Sequence, residues 1–170
     1  MPKATSYTNE MIVAFFESVK YSGHLIPISF LRIFLGYYYL EDAIAKFKGD
    51  FLIRPRIAEL ISENLPSSHA PEWYKWVFST YMVGHWQSLA FIFLGVQLAI
   101  AVSYIIGYVV RPMALLAALF TFQMLYLSGT QFQEFLKILL AIHIAFAWLG
   151  AGRCLGFDYY FFKRVRGFWW

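Results

Sequence analysis

The stretch Ser88–Leu127, SLAFIFLGVQLAIAVSYIIGYVVRPMALLAALFTFQMLYL, contains one full charge, Arg111. Its first part, Ser88 to Val110, has nothing more polar than Ser, Tyr and Gln97. At a rise of ~1.5 Å per residue it makes about 34 Å of helix, enough to cross a hydrocarbon core of about 30 Å. Arg111-Pro112 is read as the interruption. Proline suits the first turn of a new helix and pushes the residue before it out of the helical region. A second apolar run, Met113 to Leu127, stops at Ser128-Gly129-Thr130. The pair reads as a transmembrane hairpin with a tight turn at the membrane surface.

The rest of the chain has the same character. Of its 170 residues, 60% are hydrophobic and only 14% charged, against about 25% charged in average soluble domains. Aromatics reach 21%, as suits a protein with Trp and Tyr belts at two membrane interfaces. No long basic run interleaves with aromatics outside the C-terminal tail, which argues against nucleic acid as a partner. The single cysteine, Cys154, excludes an intrachain disulfide, CxxC dithiol chemistry and a multi-cysteine zinc cage. The first ten residues are polar and lack the apolar region of a cleavable signal peptide.

Four spans are expected, over 25–47, 86–110, 112–128 and 131–149. The fold class is therefore all-α: an integral membrane four-helix bundle over residues 25–156. Amphipathic interfacial helices are expected in the N-terminal segment (1–24) and in the long first connection. In the former, Ile12, Val13, Phe15, Phe16 and Val19 alternate with Glu10, Glu17 and Lys20. In the latter, a surface helix is read over Pro55–Asn64 and another begins at Pro71, dense in Trp and Tyr. Residues 157–170 read as an aromatic and basic interfacial tail. Four spans place both termini and the Arg111 turn on one side, with Lys3, Lys20, Arg111, Arg153, Lys163, Arg164 and Arg166. The opposite side carries Lys46, Lys48, Arg54, Arg56 and Lys75, offset by acids. The positive-inside bias puts both termini in the cytoplasm of a bacterial or archaeal inner membrane.

Charges inside a bilayer cost at least ~2.5–3.5 kcal/mol each at the helix centre, so they need partners or a purpose. Arg32 sits in the first span and offers a fixed fork of donors for an anion or a quinone carbonyl; the plainer reading is an ion pair holding the bundle. Glu134 and Lys137 share a face of the fourth span at i, i+3. They read as a self-neutralising pair or as a proton path from the outer surface. Arg32, Glu41, Gln97, Glu134 and Lys137 are candidates for one polar cluster. Gln97 and Gln123 read as interhelical glue. His143 lies deep in the fourth span, as a hydrogen-bonded packing residue or a quinone contact. No two histidines match in depth, which argues against a bis-histidine haem. Trp76, with Tyr74 and Lys75, lines a substrate approach or anchors the belt. No metal-ligand pattern, P-loop, GxGxxG, GxSxG or HExxH is present.

Four pieces, in order, carry a likeness: Leu31-Arg32-Ile33-Phe34-Leu35-Gly36 with Lys46; Trp73-Tyr74-Lys75-Trp76-Val77-Phe78; Gly95-Val96-Gln97 leading to Ile106-Gly107-Tyr108-Val109-Val110-Arg111-Pro112; and Gly150-Ala151-Gly152-Arg153-Cys154-Leu155-Gly156-Phe157-Asp158. Over roughly Phe30 to Tyr160 the chain resembles the DoxX/DoxD group of four-helix membrane proteins, closest to the DoxD branch associated with thiosulfate:quinone oxidoreductase. The resemblance implies a membrane subunit of a quinone-linked oxidoreductase system, with thiosulfate as electron donor and quinone as cofactor. Within that reading the candidate catalytic residues are Arg32, Glu134 and Lys137, and the candidate cofactor contacts are Arg32, Gln97, His143 and Trp76. Its partners are then the lipid bilayer and a second membrane protein or a soluble redox subunit. The group commonly has Glu where this chain has Gln97, and an amide neither releases a proton nor carries charge. The alternative is a non-catalytic accessory subunit of a larger respiratory or photosynthetic complex.

Overall fold

A computed structural model describes residues 13, 16, 17, 19–21, 23–128 and 130–164. Among these the only regular elements are helices and helical turns. The long elements are α1 (Ile26–Lys48), α4 (Trp86–Ile106), α5 (Val110–Leu127) and α6 (Gln133–Leu149). Between α1 and α4 lie two short helices, α2 (Arg56–Asn64) and α3 (Glu72–Val77), the latter running into a wide turn, Phe78–Met82. After α6 comes α7 (Asp158–Arg164).

Helices α4 and α5 are long and apolar enough to cross a membrane. Their apolar windows are only 39% and 28% buried, unlike the core helices of a soluble protein. The remaining apolar surface looks outward. Phe34, Tyr37, Phe91, Leu119, Ile138, Ile144 and Trp148 are all exposed. Helix α1 has 23 residues but carries Arg32, Glu41, Asp42, Lys46 and Lys48. Helix α6 has 17 residues, about 26 Å at the α-helical rise.

Two apolar cores set the packing. The first joins all four long helices through Leu35, Tyr39, Ile100, Tyr104, Ala114, Ala117, Leu139 and Phe146. Small residues on α5 let it lie close to its neighbours. The second core sits under the long connection: Ile57 and Ile61 of α2 meet Phe78, Leu89, Phe93 and Leu127. Their i, i+4 spacing is the apolar stripe that identified this helix in the sequence, and Arg56–Asn64 falls within the expected Pro55–Asn64.

The hairpin turn is not where the proline rule put it. Helix α4 ends at Ile106 and α5 begins at Val110, so the break is Gly107–Val109 rather than Arg111-Pro112. Gly107 and Val109 both adopt left-handed backbone, φ 74° and 55°. Pro112 is the third residue of α5, where its missing N–H is one of the four donors that a helix start leaves unused. At the other two expected spans the structure has helices shifted by one or two residues, 26–48 and 133–149. Of the expected N-terminal segment, Val13, Phe16, Glu17, Val19, Lys20 and Tyr21 are helical, Gly23 and His24 form a helical turn with Leu25, and the remainder lies outside the described residues. So does the tail beyond Arg164.

Candidate functional site

The interior polar groups fall into three separate clusters at different heights of the bundle. At the end carrying the α4–α5 turn, Arg32 of α1 is 0% exposed. Its guanidinium donates to the carbonyls of Ala151 (Nη1, 3.1 Å) and Leu155 (Nη2, 2.9 Å) in the loop after α6. Ser29, one turn earlier, donates to the Cys154 carbonyl at 2.9 Å. The loop returns to the hairpin through Asp158. Its carboxylate accepts from the backbone N–H groups of Val109 (2.6 Å) and Val110 (3.0 Å), and its own N–H donates to Gly107 O at 3.0 Å.

The local sequence explains this clasp. Left-handed Val109 turns two successive N–H groups toward one carboxylate. Left-handed backbone at a β-branched residue costs of order 1–3 kcal/mol, and hydrogen bonds to a charged group are worth about 1.5–3 kcal/mol each. A Cβ at Gly107 would run into the Arg32 guanidinium, and one at Gly152 into the Asp158 carboxylate. Burial raises the Asp158 pKa above its usual value, opposed by the Val110 and Val109 N–H groups and then by Arg32 and Arg111. Sequence position alone leaves Asp158 two roles, a cap on the segment after it or a pairing with Arg153. It caps α5, a helix that precedes it by nearly fifty residues, and its charge also acts attractively on Arg153.

The middle cluster centres on His143, which is fully buried. Tyr39 Oη lies 2.8 Å from its Nε2, Tyr104 Oη lies 2.8 Å from its Nδ1, and Thr121 Oγ1 lies 3.4 Å from Tyr39 Oη. One side chain from each long helix thus meets at a single point. The ring stacks are consistent, with Tyr39 and Tyr104 each 5.7 Å from the imidazole centroid.

Toward the other end, Gln97 donates from Nε2 to the Asp42 carboxylate and to the Tyr39 carbonyl at 3.5 Å. Its Oε1 accepts from Lys46 at 2.9 Å. Lys46 also pairs with Asp42 at 2.5 Å and lies over the Phe51 ring. Gln97 therefore does link helices, but through an ion pair on α1 that the sequence reading left out.

The expected single cluster of Arg32, Glu41, Gln97, Glu134 and Lys137 is not assembled. Glu134 and Lys137 bond to each other at 2.7 Å on the outside of α6, with side chains 83% and 57% exposed. Helical rotation sets their outward face. Trp76 points outward from α3 against Tyr81, ring centroids 5.4 Å apart, while its neighbour Tyr74 turns inward onto Phe78 at 4.2 Å. Burial raises the Tyr74 phenol to about 12.

A quinone held by Arg32, Gln97, His143 and Trp76 does not fit this arrangement. Arg32 spends both terminal nitrogens on carbonyls, Gln97 spends both ends of its amide, both ring nitrogens of His143 are engaged, and Trp76 is on the outer surface. Tyr39, Tyr104, Thr121 and Asp42 are the residues that sequence reading missed. With twelve tyrosines in the chain, type alone carries no signal. Their common depth with His143 and Gln97 is the one clue, and it needs known helix faces to be usable. No known family, curated protein or solved structure matches the chain.

Proposed function

We propose that the chain is a four-span integral membrane protein similar to the DoxX/DoxD group, acting as a membrane-embedded subunit of a quinone-linked oxidoreductase system. On this reading donor oxidation and the quinone site belong mainly to a partner chain, and this chain supplies the scaffold in the bilayer. The observation that carries it is the clasp. Three of the four sequence pieces behind the resemblance supply its parts: Arg32, the Gly107–Val110 turn, and the loop from Gly150 to Asp158. The residues behind the resemblance therefore have structural roles in this chain. The outward apolar faces of all four long helices support a lipid environment.

The accessory reading is favoured over a self-sufficient thiosulfate:quinone oxidoreductase because both terminal nitrogens of Arg32, both ends of the Gln97 amide and both ring nitrogens of His143 are already engaged. Native extraction in mild detergent tests it. The chain is expected to co-purify with a redox partner and, once isolated, to leave a short-chain quinone analogue unreduced by thiosulfate. Sustained thiosulfate-dependent reduction by the isolated chain would overturn it.

A further inference from the structure

The buried cluster at His143 has a direction. Neutral imidazole carries one N–H and one bare nitrogen, and each tyrosine hydroxyl has one proton to give. Tyr39 Oη has two partners, His143 Nε2 and Thr121 Oγ1. Tyr104 Oη has one among the described residues, His143 Nδ1. All these donors find acceptors in one arrangement: Tyr104 donates to Nδ1, Nε2–H donates to Tyr39, and Tyr39 donates to Thr121. In the other tautomer the Tyr104 proton has no acceptor among the described residues, and a buried hydroxyl without an acceptor is penalised.

We propose that Tyr104 is a redox-active tyrosine with His143 as its proton acceptor. The reaction needs a strong one-electron oxidant, such as an oxygen-derived radical. One electron passes from the Tyr104 phenol to the oxidant, which is reduced by one electron. The phenolic proton moves along its existing hydrogen bond to His143 Nδ1. The products are a neutral Tyr104 phenoxyl radical and an imidazolium, whose Nε2–H still donates to Tyr39. When a one-electron reductant, such as a reduced haem or iron–sulfur centre, returns the electron, the proton goes back to Tyr104, so the proton never leaves the cluster.

Access and protection are both built in. Tyr38 is 41% exposed on the outer face of α1 and lies edge-on to Tyr39, centroids 6.2 Å apart. Tyr39 is in turn 6.5 Å from Tyr104, also edge-on. These rings form a stepwise aromatic route from the surface to a phenol that is 0% exposed. Burial shields the Tyr104 radical from the coupling reactions open to radicals at exposed tyrosines. The proposal goes beyond the scaffold reading and does not depend on which donor or quinone the system uses.

The test uses the full chain in nanodiscs, oxidised by a flash-generated ruthenium(III) trisbipyridine complex carrying alkyl chains that anchor it in the bilayer, and frozen for electron paramagnetic resonance. The expected result is a persistent neutral tyrosyl signal that shows coupling to an imidazole in ¹⁵N-histidine-labelled protein and is lost in Tyr104→Phe. Tyr38→Phe is expected to slow its formation. A persistent signal unchanged in Tyr104→Phe would overturn the proposal. So would a signal in the unmutated labelled protein without imidazole coupling, a readout that needs no variant to fold.

Discussion

Arg32 and Lys46 stand on the same helix with the same charge, yet α1 accommodates them by opposite means. Arg32 is sealed and meets fixed backbone carbonyls, with no carboxylate in hydrogen-bond contact among the described residues. Lys46 keeps 30% of its side chain exposed and takes a carboxylate, Asp42, one turn away. A buried cation needs acceptors already in place, because moving flexible partners out of water costs as much as the pairing returns. A planar guanidinium suits two fixed carbonyls, whereas a flexible ammonium suits a half-wet boundary. The clasp is accordingly a tertiary device that ties three segments, and the Lys46 pair is a local one.

The largest effect is expected where that difference is abolished. Arg32→Met leaves the Ala151 and Leu155 carbonyls without their donors and Asp158 without its buried countercharge. It is expected to cost about 3–5 kcal/mol, read as a lowered unfolding midpoint in detergent. Asp42→Asn, the matching cut at the boundary, is expected to cost no more than about 1 kcal/mol. Equal losses at the two sites would remove the contrast between them.

Next in size is His143→Phe. It keeps the ring volume but strips Tyr104 of its acceptor and Tyr39 of one partner, for an expected loss of about 2 kcal/mol in the same assay. A smaller, signed effect belongs to Asp158. Its folded pKa lies above the unfolded value, so its contribution is full below the unfolded pKa and declines as pH rises through the folded one. Wild type is therefore expected to gain stability relative to Asp158→Asn on acidification from about pH 7 toward about pH 4. A relative loss over that range would contradict the assignment of burial as the dominant influence.

The smallest effect is expected at Glu134→Gln. An exposed i, i+3 pair contributes at most about 0.5 kcal/mol, and this one lies on the outside of α6. An unchanged unfolding midpoint and unchanged activity of the co-purified assembly are expected. A loss of turnover would restore the proton-path role that its sequence position suggested.

Apolar run length made all four long helices legible as helices, though only α4 and α5 are long and apolar enough to cross a membrane. The i, i+4 isoleucines made α2 legible, and the i, i+3 spacing made the Glu134–Lys137 bond legible. Which face of each helix turns inward was not, because α4 and α5 are apolar all round and give rotation no handle. That is why Glu134 was grouped with Arg32 while Tyr39, Tyr104 and Thr121 were overlooked around His143. The turn at Gly107–Val109 was misplaced for a related reason. The left-handed Val109 is held by Asp158, a residue distant in sequence, and local rules favour the nearer proline.

On the proposed reading, four spans cross a bilayer with the clasp at one face and the α1–α4 connection at the other. Single cysteines in a Cys154→Ser background test it directly, at Ser67 in the connection, Ser128 after α5, and Tyr108 beside the clasp. With an impermeant thiol reagent on intact cells, Ser67→Cys and Ser128→Cys are expected to label, and Tyr108→Cys only after the membrane is opened. Labelling of Ser67→Cys and Tyr108→Cys from the same side would contradict it.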